Sequence, residues 1–198
     1  MGVMELDNKE ERILEAAAEV FADQGFFKAT VIEIAEQADI AKGTIYLYFD
    51  SKQDLFKSLI VSRVNRLYQG ALKDKENKSS FEAKIKSIIT RELNYFAEEA
   101  DLSKSIISGF SGMDEEFKKA FCKIRKKYRG VIKEIIQSEI EFEAVEDVAS
   151  DDAVRALQGI IHSFGFDYYL TSTDEDSKVE ELTDIIYNLF INGISEKN

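Results

Sequence analysis

The chain contains no proline in 198 residues and only ten glycines. Proline removes a backbone donor and clashes with the preceding helical turn, so its absence lifts the main local barrier to long helices. Apolar residues then recur at spacings of three and four. Ile13, Leu14, Ala17, Val20 and Phe21 form one such stripe over residues 10–24. Phe117, Phe121, Ile124, Tyr128, Val131, Ile135 and Ile136 form the longest, over residues 115–140. No segment alternates with period two between strand-type flanks, and no internal repeat is present. An all-α protein is expected, long enough for one large domain or two small ones.

Helix punctuation divides the first third finely. Gly25 closes the first stripe, with Phe26 and Phe27 in a short connection. Thr30 and Glu33 make a capping box that starts a helix ending near Ala38, and Asp39 tolerates a left-handed turn. A second short helix is expected over 42–48. Ser51 with Asp54 then starts a long helix through Leu55, Ile60, Val64 and Leu67. Further on, residues 73–80 read as a polar loop, and Ser79 with Glu82 as the cap of a helix carrying Phe81 to Phe96. A short helix over 102–110 precedes a break at Ser111-Gly112. An acidic stretch over 141–152 and a polar turn over 172–177 delimit two last helices, the first capped by Ser150.

Residues 30–55 therefore read as a helix-turn-helix, with short apolar positions behind (Ile34, Ala35, Ala38, Ile40, Ile45) and a polar reading face in front. Charge makes that reading demanding. The chain carries a net charge of −12, and residues 1–57 hold six Lys or Arg against twelve Asp or Glu, a net of −6. From Ile40 to Lys57, however, Lys42, Lys52 and Lys57 oppose Asp50 and Asp54, a net of +1. Any DNA contact should thus be local, salt-sensitive and dependent on pairing two units. The acidic run Glu139, Glu141, Glu143, Glu146 and Asp147 lacks a calcium-loop glycine and reads as a solvated helix end.

The run from Ile13 to Leu55 resembles the DNA-binding domain of tetracycline-repressor-type (TetR family) transcriptional regulators. The matching elements are ILEAAAEVFADQGF, then T-x-x-x-I-A-E-x-A-x-I, then A-K-G-T-I-Y-x-Y-F, then S-K-x-x-L. Asp39 stands where glycine is common, Ala41 where serine usually opens the reading helix, and Leu47 where histidine or an aromatic residue is frequent. The resemblance implies a helix-turn-helix DNA-binding domain over 1–55 and a larger helical effector-binding and dimerisation domain over 56–198. It implies DNA contacts from Thr30, Lys42, Gly43, Thr44, Tyr46, Leu47, Tyr48 and Lys52. Among these, Lys42 suits a phosphate or guanine edge, and Leu47 a thymine methyl. Thr30 and Lys52 sit at helix starts, where phosphate contacts fix register. Tyr48 is the tyrosine expected to pack on the first helix, and Phe49 and Leu55 are expected in the core.

For the remaining chain, core packing is the first reading of an unusually aromatic set. The resemblance implies instead an apolar effector pocket between helices, with Phe110, Phe117, Phe121, Tyr128, His162, Phe164 and Tyr168 as candidates. Few charges interrupt the apolar stripes apart from Arg91, Arg125 and Arg155, which favours a hydrophobic or amphipathic effector such as a fatty-acyl compound or aromatic drug. Leu157, Ile161, Ile186 and Phe190 are the expected homodimer interface, in an intermolecular four-helix bundle. Cys122, the single cysteine, reads as a buried small hydrophobe and excludes an intrachain disulfide.

The first twelve residues lack a signal-peptide pattern, and no apolar run reaches membrane-span length, so a cytoplasmic protein without membrane association is expected. One histidine cannot supply the Glu-x-x-His pairs of a helical di-metal enzyme, and no P-loop, G-x-S-x-G or zinc spacing appears. No enzyme activity, metal or cofactor is expected. The leading expectation is a homodimeric repressor that binds a palindromic double-stranded DNA operator and is released by a small-molecule effector. The alternative is a helical interaction or ligand-binding protein whose helix-turn-helix does not bind DNA.

Overall fold

A computed structural model describes the backbone of residues 2–110, 114–140, 150–171 and 179–194, with side chains over 9–96, 114–138, 150–165 and 179–193. The described elements are helices α1 (Gly2–Lys28), α2 (Val31–Gln37), α3 (Lys42–Ile45), α4 (Lys52–Glu76), α5 (Phe81–Phe110), α6 (Glu115–Ile140), α7 (Ser150–Thr171) and α8 (Val179–Ile194). No strand occurs among the described residues. The fold is all-α, as expected: an N-terminal helix-turn-helix followed by a larger helical part.

Local signals set most boundaries. Gly25 adopts φ 76° and ψ 155°, a conformation that interrupts α1 before one last turn through Lys28. Asp54 N–H donates to the Ser51 hydroxyl at 3.0 Å, which opens α4 where the sequence placed it. Three expectations fail. The helix α4 runs about two and a half turns past Leu67 to Glu76, so residues 73–76 are helical rather than loop. Its end is held by Lys75 on Glu134 at 2.6 Å and by Arg91 and Ser87 on Asp74 at 2.7 and 2.9 Å. The cap of α5 is Ser80, not Ser79, since Ala83 N–H donates to the Ser80 hydroxyl at 3.2 Å. And α5 is one helix through Phe110 rather than two. The stretch Ala97-Glu98-Glu99-Ala100 consists of strong helix formers, so its polarity marks no break. The Ser111-Gly112 break, the turn over 172–177 and all but the last residues of the acidic stretch lie outside the described residues.

The chain forms two compact units, Met1–Arg63 with Glu99–Phe121, and Val64–Glu98 with Cys122–Asn198. The first unit is built on a core of Ile13, Ala17, Phe21, Ile34, Ala35, Ile45, Phe49, Leu55, Phe56 and Phe117. Phe21 and Phe56 meet edge to face at 5.2 Å, and Phe26 lies 4.7 Å from Phe56. The second unit has its own core, including Ile85, Ile88, Leu93, Tyr128, Ile132, Val154, Leu157, Ile161, Ile186 and Phe190. Cys122 is exposed, correcting the expected burial. It shares the outer side of α6 with the exposed Lys119, Lys123 and Lys126. Among the described residues, no helix is long and apolar enough to cross a membrane.

Candidate functional site

The reading element is assembled by reciprocal capping. Thr30, at φ −115° and ψ 150°, accepts from Glu33 N–H at 3.2 Å, while Thr30 N–H and its hydroxyl donate to the Glu33 carboxylate at 2.8 and 2.7 Å. Those donors, the hydroxyl first and the backbone N–H second, hold the Glu33 carboxyl below its ordinary value. At the other end of α2, Arg12 reaches from α1 to donate to the Ala38 carbonyl at 2.7 Å. Asp39 follows with φ 52°, the left-handed turn that glycine would adopt more freely.

Ala41 then opens α3 with no side-chain cap, as a methyl group must. The helix spans only 42–45, shorter than the expected 42–48. Its continuation tightens into bonds from Leu47 N–H to Thr44 O at 3.1 Å and from Tyr48 N–H to Ile45 O at 3.0 Å. Ile45 points into the core while Lys42, Gly43, Tyr46 and Leu47 point outward. Tyr46 is 47% exposed and Leu47 82%. Lys42 Nζ lies 6.0 Å over the Tyr46 ring. A Cβ added at Gly43 would meet no atom within 4 Å, so packing within the chain makes no demand for glycine there. Tyr48 packs against the core, with its ring 6.4 Å from that of Phe49.

Lys52, expected at a phosphate, is engaged within the chain. Its ammonium donates to the carbonyls of Phe26 at 2.7 Å, Phe27 at 3.3 Å and Ala29 at 2.8 Å, and lies 4.8 Å over the Phe26 ring. Lys57 pairs with Asp114, which also caps α6 through the N–H of Phe117 at 2.8 Å. The outward cation of the reading helix is therefore Lys42.

In the second unit Phe164 packs against the core, and the other two expected pocket residues described there, Tyr128 and His162, face a group that sequence reading missed, Glu92. It is 2% exposed. Its Oε1 accepts from the Tyr128 hydroxyl at 2.6 Å and from Gln158 Nε2 at 3.4 Å, and its Oε2 faces His162 Nε2 at 3.7 Å. One carboxyl on α5 thus meets polar groups from α6 and α7. Burial pushes the Glu92 carboxyl above its ordinary value, against the pull of Tyr128, Gln158 and the nearby Arg125 and Arg91. Burial and the charge of Arg125 hold His162 below its own. The His162 ring stands edge-on to Phe96 at 5.3 Å. Phe96 in turn lies so close to Gly165 that an added Cβ there would come within 2.7 Å of its ring.

Phe117 and Phe121 do not join this group. They stack on each other at 5.9 Å against the core of the first unit. The side chains of Phe110 and Tyr168 lie outside the described residues. The expected interface residues Leu157, Ile161, Ile186 and Phe190 are fully buried in the chain's own core. The helical stripe that carries them faces inward, and Ile185 (39% exposed) and Leu189 (50%) occupy the outer side of α8.

Residues 13–59 match the family described as bacterial regulatory proteins, tetR family. The chain is 25% identical over 188 residues to the fatty acid metabolism regulator protein of Bacillus subtilis, covering 94% of this chain and 95% of that one. The solved structure of the transcriptional regulator FadR from Bacillus subtilis in complex with stearoyl-CoA is also 25% identical, with a TM-score of 0.73 over 93% of this chain and 98% of that one. A fatty acid degradation regulator FadR from Bacillus halodurans shares the fold, with a TM-score of 0.76 at 22% identity over 96% of this chain and 97% of that one.

The chain belongs to the TetR family of transcriptional regulators. For this TetR-family chain, Glu92 is the residue with most to explain and the least visible in sequence. A glutamate flanked by Arg91 and Leu93 looks like any solvated helix position. Its only signal is register, because Ile85, Ile88, Ile89 and Glu92 fall on one helical face.

Proposed function

We propose that this regulator is a homodimeric, effector-released repressor whose α3 face reads a palindromic operator. The observation that carries the reading is the outward set Lys42, Gly43, Tyr46 and Leu47 on a helix whose inner residue, Ile45, is locked in a core. Leu47, largely in water, offers an apolar surface to a thymine methyl, and Gly43 leaves room for close backbone approach. Thr44 and the Tyr46 hydroxyl supply polar contacts, while Thr30 and Tyr48 sit at the edge of that face. Residues 1–55 are the DNA-binding domain in this reading, and 56–198 sense the effector and dimerise.

The test is a gel shift on the promoter region beside the protein's own gene. Wild type binds, and the slope of log K against log salt is steep. The double variant Lys42→Ala with Tyr46→Ala binds at least 100-fold more weakly while its helicity and melting temperature stay unchanged, each good base pairing being worth about 1–3 kcal/mol. Wild-type failure to bind, with and without cell extract, would favour a helix-turn-helix that serves some other contact.

Pairing of two reading heads is assigned to the outer faces of α7 and α8. Ile185 and Leu189 are exposed apolar groups there, and Ala156 and Gly159 give α7 a small-residue exposed side. Leu189→Arg should convert a dimer to a monomer in light scattering without loss of helix. A variant that stays dimeric would move the interface elsewhere.

The effector proposed is a long-chain acyl compound. The relatives named for fatty acid metabolism and the stearoyl-CoA complex of one of them support this class. Tyr128 and His162, which meet Glu92, and Phe164, packed against the same core, are the candidate lining in the described part of the domain. A graded series of acyl-CoA chain lengths should release the operator, and indifference to every member would remove the acyl class.

A further inference from the structure

We propose that Lys52 is a positioning residue of the reading head, fastening the end of α1 to the start of α4, and not a phosphate contact. A helix end leaves carbonyls without N–H partners, and a junction between two helices leaves several at once. At this junction Ala29 N–H still donates to Gly25 O at 3.1 Å, but Thr30 N–H turns to the Glu33 carboxylate instead of continuing the helix. The carbonyls of Phe26, Phe27 and Ala29 receive the Lys52 ammonium, at 2.7, 3.3 and 2.8 Å. An ammonium carries three hydrogens and no acceptor, so three carbonyls satisfy its donor capacity.

The position of that junction matters for reading DNA. Residues 26–29 deliver the chain into Thr30, the cap of α2, and α2 carries the packed face on which α3 rests. Phe26 completes the clamp, its ring packed on Phe56 of α4 and under the Lys52 ammonium. Lys52 thereby joins the end of α1 and the connection into α2 to the start of α4 with one side chain. Lys42, exposed at the start of α3 with its ammonium over the Tyr46 ring, remains the cation that meets phosphate or base.

The proposal rests on the DNA-binding reading for its functional consequence, but its structural half is tested without DNA. Brief acetylation of the free wild-type protein with acetic anhydride, read by peptide mass spectrometry, should modify Lys42 several-fold faster than Lys52. Equal rates would overturn the proposal. Lys52→Met keeps the stem and removes the donors; it should lower the melting temperature by roughly 5 °C, since the partly buried carbonyls of Phe26 and Ala29 lose their partner. If the variant fails to fold, the acetylation rates still decide.

Where wild type binds the promoter duplex, Lys52→Met should weaken binding at least tenfold yet leave the salt slope unchanged. Lys42→Ala should lower that slope by about 0.9 for each phosphate neutralised. A Lys52→Met protein of wild-type melting temperature with a slope reduced by that amount would return Lys52 to the phosphate backbone. If wild type binds no duplex, the DNA-binding reading fails while the acetylation and melting results still stand or fall by themselves.

Discussion

Glu92→Ala is expected to destabilise the protein by about 3–5 kcal/mol, while Glu92→Gln is expected to be neutral or stabilising above neutral pH. Alanine leaves the Tyr128 hydroxyl and Gln158 amide without their buried acceptor and opens a cavity between α5, α6 and α7. Glutamine keeps an oxygen for Tyr128 and presents an amide to His162, without a charge to desolvate. The pH dependence follows from direction. Unfolded, Glu92 loses its proton near 4.5; folded, burial first of all delays that loss. Its contribution to stability is therefore complete below about 4.5, declines as pH rises toward the folded value, and is constant beyond it.

His162 acts oppositely. It is favoured neutral in the fold, so its contribution is present above 6.5 and lost as pH falls through its lowered value. The two facing groups therefore change stability in opposite senses as pH rises. Urea melts of wild type and Glu92→Gln from pH 4.5 to pH 8.5 read this directly. The variant's relative stability should climb with pH. A pH-independent difference between the two would show that Glu92 carries no titration cost.

Phe117→Ala carries the other large effect, about 3–5 kcal/mol, and its damage should fall on DNA binding rather than on effector binding. The ring is 3% exposed in the core of the first unit, beside Phe121 and behind the reading head. Hydrogen exchange should show lost protection in α1, α2 and the first turns of α4. Retained protection there, with lost response to acyl compounds, would return Phe117 to an effector pocket.

The helix-turn-helix was legible because its determinants are short-range. The Thr30–Glu33 box, the Asp39 turn and the Ser51–Asp54 cap each involve residues within a few positions, and each appears as read. Ala41 forms no cap for the same local reason. Helix ends read from polarity alone fared worse: residues 73–76 and the stretch near Ala97–Ala100 are polar yet helical, because helix propensity tracks side-chain entropy and shape more than charge.

What sequence by itself determined is thus the all-α class, the reading unit and its family, since backbone propensity, capping and periodicity are properties of neighbouring residues. Tertiary structure alone decided which apolar stripes face inward. Leu157, Ile161, Ile186 and Phe190 have the spacing an interface needs, but that stripe fills the chain's own core, and Ile185 and Leu189 face out. It also decided that Lys52 turns to carbonyls 23 to 26 residues away, that Phe117 serves the first core, and that Glu92 is buried. Periodicity gives the side of a helix on which a residue lies; only the packed neighbours decide whether that side meets solvent, a carbonyl or another helix.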